Sequence, residues 1–149
     1  MKNLIKLIAS FFYLGYAPVI PGTVGSLAGL GLYFLFKDNI CFYTILLILL
    51  SALGFLVAGS AEKIFQEKDS RKIVIDEVAG LLLAFWGLRL EPVLLITGFF
   101  IFRALDAIKV YPANRLEKID GSCGIMGDDL IAGLYTNIVL RIVTAIIAF

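Results

Sequence analysis

Three short stretches set acids beside cations or against apolar residues: "KIVIDEVAG", "FRALDAIK" and "GDDLIAG". In the first, Asp76 and Glu77 fall in what reads as the opening turn of a helix, where the helix dipole favours a carboxylate. Capping accounts for one acid. Consecutive side chains point about 100° apart around a helix, so two cannot cap the same donors and one is left to meet another helix. In the second stretch Arg103, Asp106 and Lys109 follow at i, i+3 and i+6, along one helical face. Such a stripe either neutralises itself at a membrane surface or lets the guanidinium and ammonium hold a phosphate while the acid between them holds a metal. In the third, Asp128 and Asp129 open an apolar run after the Gly-rich "GSCGIMG", and one acid would suffice as an N-cap. Five clustered carboxylates without a counter-ion repel one another. Hard oxygen ligands of this kind suit Mg²⁺, which is held by a few carboxylates together with water and substrate phosphate.

A fourth stretch, "YAPVIPGTVGS", stops any preceding helix at Pro18 and Pro21 and then offers Gly22, Thr23 and Ser26 at a helix start. It lacks the Gly-Lys-Ser/Thr of a P-loop. Gly25, Ala28 and Gly29 serve equally well for close helix packing. Other chemistries fall away. The chain has no histidine, which excludes a phosphohistidine and a histidine acid or zinc ligand. The position six after Cys123 is Asp129, not the arginine a cysteine-dependent phosphatase needs, and no Asp-x-Asp pair exists for an aspartyl-phosphate enzyme. What remains is metal-assisted attack on phosphorus by water, with a carboxylate as base.

The elements that must position these groups are membrane helices. Of 149 residues 60 % are hydrophobic and 17 % charged, against about 45–50 % and about 25 % in soluble domains. The mean hydropathy of +0.96 is concentrated in runs over 40–59, 78–88, 92–102 and 130–149. The expectation is a single all-α membrane-embedded domain over 1–149, with membrane helices near 23–36, 40–59, 74–88, 92–107 and 128–148. The N-terminal segment, with Lys2 and Lys6 and no small-x-small cleavage site, is expected to stay as an interfacial helix. Lys63, Lys68, Arg71 and Lys72 in one loop and Arg115 and Lys118 in another set the orientation, leaving Lys37 and Arg89 opposite. That threading gathers all four motifs in the cytoplasmic leaflet of a multi-pass inner-membrane protein. Net charge +1 gives no case for nucleic acid, and Cys41 and Cys123 form neither a disulfide framework nor a CxxC pair.

The chain resembles the phosphatidylglycerophosphatase A family in "GYAPVIPGTVGS", "DSRKIVIDEVAG" and "FRALDAIKVYP…GSCGIMGDDLIAG", in matching order and spacing. The resemblance implies an all-helical, Mg²⁺-dependent membrane enzyme that converts phosphatidylglycerophosphate to phosphatidylglycerol and inorganic phosphate. It implies that the family's acids fall on Asp76, Glu77, Asp106, Asp128 and Asp129, its basic residues on Arg103 and Lys109, and its Pro-Gly-Thr threonine on Thr23. The chain departs from the family pattern at Lys109–Pro112, Leu105 and Asp69–Ser70, which bears on loop geometry more than on the reaction.

The expected site therefore has Mg²⁺ among Asp76, Glu77, Asp106, Asp128 and Asp129, phosphate on Arg103, Lys109 and Thr23, and catalytic work shared by Asp76, Glu77, Asp106 and Asp129. Asp129 and Glu77 are the candidates for the base. The rival reading is a small cation or solute transporter with a carboxylate ion site, although transporters set such groups near the midplane rather than at helix ends. Arg141, about 20 Å along the last helix, is expected to snorkel outward or to pair with Glu91 or Asp38 at the other surface.

Overall fold

Proline starts two helices of this chain and asparagine caps a third. Pro21 and Pro92 stand in the first turns of α2 (Pro21–Phe36) and α5 (Pro92–Ile108), where a missing N–H costs nothing. Asn39 caps α3 (Ile40–Phe65) by accepting the Phe42 N–H at 3.1 Å. The remaining helices are α1 (Lys2–Ala9), α4 (Ile75–Phe85), α6 (Ala113–Leu116) and α7 (Ser122–Ile147), with a 3-10 turn at Leu14–Tyr16. This computed structural model describes residues 1–147; there is no strand among the described residues. Residues 148 and 149, the expected end of the last apolar run, lie outside them.

The short helix α4 is the axis of the bundle. Its Val78, Ala79, Leu81, Leu82, Ala84 and Phe85 are fully buried, and α2, α3, α5 and α7 all pack on it. A buried helix end must have its carbonyls satisfied by side chains. Asn137 of α7 donates to the Ala84 and Trp86 carbonyls at 3.0 Å each, and Tyr43 of α3 donates to the Leu82 carbonyl at 2.8 Å. At 11 residues α4 rises only about 16 Å, roughly half a bilayer core. It is shorter than the already short helix expected over 74–88 and is buried in the bundle, one of the alternatives expected for so short a helix.

Two helices, α3 and α7, each of 26 residues, are long and apolar enough to cross a membrane. Large apolar side chains stand exposed along them and along α5: Ile48, Leu56, Val93, Phe100 and Ile142 are each more than half accessible. Apolar surface on that scale marks a membrane or partner-facing exterior. The chain is thus an all-helical protein with the marks of membrane association.

Three boundaries differ from expectation, each for a local reason. α3 continues past residue 59 to Phe65, because Ala58 and Ala61 are buried against Ala9 and Ile5 of α1. α7 begins at Ser122, six residues before Asp128, so "GSCGIMG" is mostly helix: only Gly121 turns, at φ +81°. Its small residues are there for contact: a Cβ at Gly124 would meet the Ile119 carbonyl, and the Gly59 N–H donates to Ser122 Oγ at 2.8 Å. Lys109 leaves the helix as a left-handed cap at φ +52°, off the face shared by Arg103 and Asp106.

Candidate active site

Close backbone contact between α4 and α7 assembles the acids. A Cβ at Gly133 would meet the Gly80 carbonyl, and one at Gly80 would lie 2.8 Å from the Asp129 carbonyl. Asp76 and Asp129 each stand one turn before these glycines, so the crossing brings the two carboxylates together. Asp76 and Glu77 lie in the first turn of α4. Val74 before them is fixed by donating its N–H to the Ala9 carbonyl at 3.0 Å.

Asp76, Glu77 and Asp129 can each turn one carboxylate oxygen to within 4.8 Å of the others. Asp76 and Asp129 are 7 % and 3 % exposed. Glu77 Oε2 and Asp129 Oδ2 are buried and have no hydrogen-bond partner. Two ionised carboxylates at this separation repel by about 3 kcal/mol at an effective dielectric of about 20. Buried charges persist only when paired or when they coordinate metal. Three oxygen donors, two of them orphaned, fit a hard divalent cation such as Mg²⁺.

Asp106 lies in the electrostatic field of both Glu77 and Asp129 and is held by Arg103, whose Nη1 donates to its Oδ2 at 2.8 Å. Arg103 Nη1 also reaches Ser26 Oγ at 3.5 Å, a long contact. Gly22 of α2 fits directly against Glu77 and Arg103, where a Cβ would meet Glu77 Oε1. Between these groups opens a cleft of about 320 Å³ lined by Ile20, Pro21, Gly22, Thr23, Arg71, Glu77 and Arg103.

Asp128 and Lys109 occupy a separate station. Lys109 Nζ donates to Asp128 Oδ2 at 2.7 Å and lies 3.0 Å from Glu117 and 4.0 Å from Asp69. Those three carboxylates hold its ammonium far above the ordinary lysine range, against the opposing effect of burial. Lys109 does not line the cleft that contains Thr23 and Arg103. The structure thus gathers Asp76, Glu77, Asp129 and Asp106, with Thr23 and Arg103 across the cleft, and sets Asp128 with Lys109 beside them.

Arg71 went unrecognised as a site group, having counted only as a loop charge. It lines the cleft and has no carboxylate within 4.0 Å among the described residues. Its place directly before "KIVIDEVAG" was the signal available. Arg141 does not pair with Glu91 or Asp38. Its Nε donates to Asn137 Oδ1 at 2.8 Å and its Nη2 to the Trp86 carbonyl at 2.9 Å, while Asp38 faces Arg89 at 3.9 Å. The Trp86 carbonyl just past α4, which Asn137 also reaches, is the nearer partner. Cys41 and Cys123 are free and exposed.

In an all-helical frame, clustered carboxylates beside an arginine-lined cleft can hold a cation next to a phosphate group. Comparison with known proteins narrows the class. The family model of phosphatidylglycerophosphatase A matches residues 7–144, and the chain belongs to that family of phosphoric monoester hydrolases. It is 31 % identical over 137 residues to a phosphatidylglycerophosphatase A of Escherichia coli K12, covering 90 % of this chain and 80 % of that one. The corresponding protein of Haemophilus influenzae Rd is 32 % identical over 144 residues, with 94 % and 88 % covered. A Bacteroides thetaiotaomicron protein, provisionally named as a phosphatidylinositol-3-phosphatase, is 31 % identical over 152 residues, with 91 % of each chain covered. No solved structure matches the chain at a significant level.

Proposed function

We propose that the protein is a Mg²⁺-dependent lipid phosphatase that hydrolyses phosphatidylglycerophosphate to phosphatidylglycerol and inorganic phosphate at the cytoplasmic face of the inner membrane. The observation that carries this is the cluster of Asp76, Glu77 and Asp129, in which Glu77 Oε2 and Asp129 Oδ2 have no hydrogen-bond partner, opening through Glu77 onto a cleft lined by Arg71, Arg103 and Thr23. Asp76, Glu77 and Asp129 would hold the ion. When bound, it supplies the charge that lets the carboxylates remain ionised and polarises the phosphate.

The protein's own groups do the rest. Arg103 presents its guanidinium fork to the phosphate oxygens and is itself aimed by Asp106. Arg71 adds a second cation from the loop, and Thr23 a hydroxyl from α2. Water attacks phosphorus as the bond to the glycerol oxygen breaks; a carboxylate takes the water's proton, and the leaving oxygen takes up a proton, from that carboxylate or from solvent, to leave as the alcohol. Asp129 and Glu77 are suited to that role because each has an oxygen free of any partner in the protein.

The bundle would sit with α3 and α7 across the bilayer, α2 and α5 beside them, α4 enclosed and α1 at the interface. Lys63, Lys68, Arg71, Lys72, Arg115 and Lys118 belong to the loops and helix ends on the side of the site, whereas Lys37 and Arg89 belong to the opposite turns, which supports a cytoplasmic site. The transporter reading loses ground because the acids lie in the first two turns of α4 and α7 and the last turn of α5, not mid-helix.

The test is phosphate release by purified protein in mixed micelles, from phosphatidylglycerophosphate and, in parallel, from phosphatidylinositol 3-phosphate. The second substrate is motivated by the Bacteroides relative's name. Preference for phosphatidylglycerophosphate is expected; preference for the inositide would move the headgroup, and metal uptake into liposomes without any phosphate release would remove the enzyme reading.

A further inference from the structure

An apolar trough lies one helical turn from the cleft, along the same two helices. On α2, Thr23, Leu27, Leu30 and Phe34 follow at i, i+4, i+7 and i+11, forming a single stripe. On α5, Arg103, Phe100, Phe99 and Ile96 form the facing stripe, running back along the helix. The two helices run in opposite senses, since Gly22 at the start of α2 meets Arg103 near the end of α5. Both pack on α4 but scarcely touch each other. The trough left between them holds about 380 Å³ and is wholly apolar.

We propose that this trough seats one fatty acyl chain of the phosphate-bearing lipid, a reading that rests on the lipid-phosphatase function above. Three features select that occupant. Thr23 and Arg103 of the cleft stand one turn from Leu27 and Phe99 of the trough on the same two helices, so a polar end is followed by an apolar one, as in a phospholipid. From Thr23 to Phe34 the groove rises about 16 Å, about half the thickness of the hydrocarbon core and hence the depth of one leaflet. The trough is also open to the side, because Leu27, Phe34, Ile96 and Phe100 are each more than half exposed, so a chain enters from the bilayer without leaving hydrocarbon. A bilayer is as apolar as the groove, so the trough gains no affinity from burial. It gains orientation, by holding the headgroup where Glu77 and Arg103 stand.

The experiment uses the full chain in phospholipid vesicles with a phosphatidic-acid analogue carrying a photoreactive group at the end of one acyl chain. Labelling concentrated on the Leu30, Phe34, Ile96 and Phe99 stripe is expected. Labels spread evenly over the lipid-facing sides of α3, α5 and α7 would overturn the groove. In parallel, Leu30→Trp and Ile96→Trp fill the trough. Phosphate release from long-chain phosphatidylglycerophosphate should fall by about tenfold or more, with release from its water-soluble deacylated headgroup unchanged. Equal rates on both substrates, or an equal loss on both, would overturn it. A wild-type protein that releases phosphate yet labels evenly removes the groove alone; one that labels the stripe yet releases no phosphate removes the phosphatase reading alone.

Discussion

Asp128 and Asp129 are neighbours in sequence and opposites in circumstance. Asp128 belongs to a station built around a cation: its carboxylate meets Lys109, which also meets Glu117 and Asp69. Asp129 belongs to one where charges lack answers, with Asp76 and Glu77 as companions and a buried oxygen that nothing in the protein touches. A fold tolerates a buried charge when it is paired, and the paired station needs nothing further. The unpaired station carries a free-energy cost that a bound cation or a proton relieves. Difference in pairing, not in burial, separates an acid that holds the structure from one that waits for chemistry.

The comparison is broken most sharply by removing one charge from each station. Asp129→Asn should lower phosphate release by about 10³-fold, with a melting midpoint at or above wild type because a like-charge repulsion is gone. Equal loss of activity in Asp128→Asn would erase the distinction. Gly133→Ala should come next. A new Cβ against the Gly80 carbonyl pushes α7 from α4 and separates Asp76 from Asp129, costing about 10²-fold in rate and about 1–3 kcal/mol in stability by thermal melting. Lys109→Met should act in the reverse proportion, destabilising by about 1–3 kcal/mol, discounted for the 22 % exposure of the lysine, with less than about tenfold effect on turnover.

Smaller effects sharpen the boundary of the site. Arg71→Ala should raise KM by about tenfold and leave kcat nearly unchanged, since the loop cation meets substrate but no protein acid. Asp120→Asn should do least. Lys68 holds the Asp120 carboxyl below the usual carboxylate range, so the pair's contribution is present above the unfolded pKa and lost as pH falls through the folded one. Both groups are solvated, and melting curves of the variant and wild type should superimpose from neutral pH down to the carboxylate range.

Much of the arrangement is legible before any coordinates. Helical periodicity gives the all-α class, and the acids' presence at one end of the bundle follows from turns and charge bias in the loops. The start of α7 is not legible in the same way. "GSCGIMG" has the composition of a turn, and only its contacts with Leu116, Ile119 and Gly59 make it a helix. For the same reason Asp128 and Asp129 lie in the second turn of α7 rather than at its cap. The fates of Lys109 and Arg141 depend on residues distant in sequence, Asp69 and Glu117 for one and Trp86 for the other, which no spacing rule brings together. The division between paired and unpaired acids is likewise a tertiary fact: five carboxylates in a sequence look alike until their neighbours are known.

The central claim, that the unpaired acids hold a metal used in phosphate release, is tested most directly by a Mg²⁺ titration of chelator-treated protein acting on phosphatidylglycerophosphate. The expected result is no phosphate release at zero metal, a saturable return with Mg²⁺ in the wild type, and no return in Asp129→Asn. Full release in the presence of chelator, or a normal Mg²⁺ response from Asp129→Asn, would contradict it.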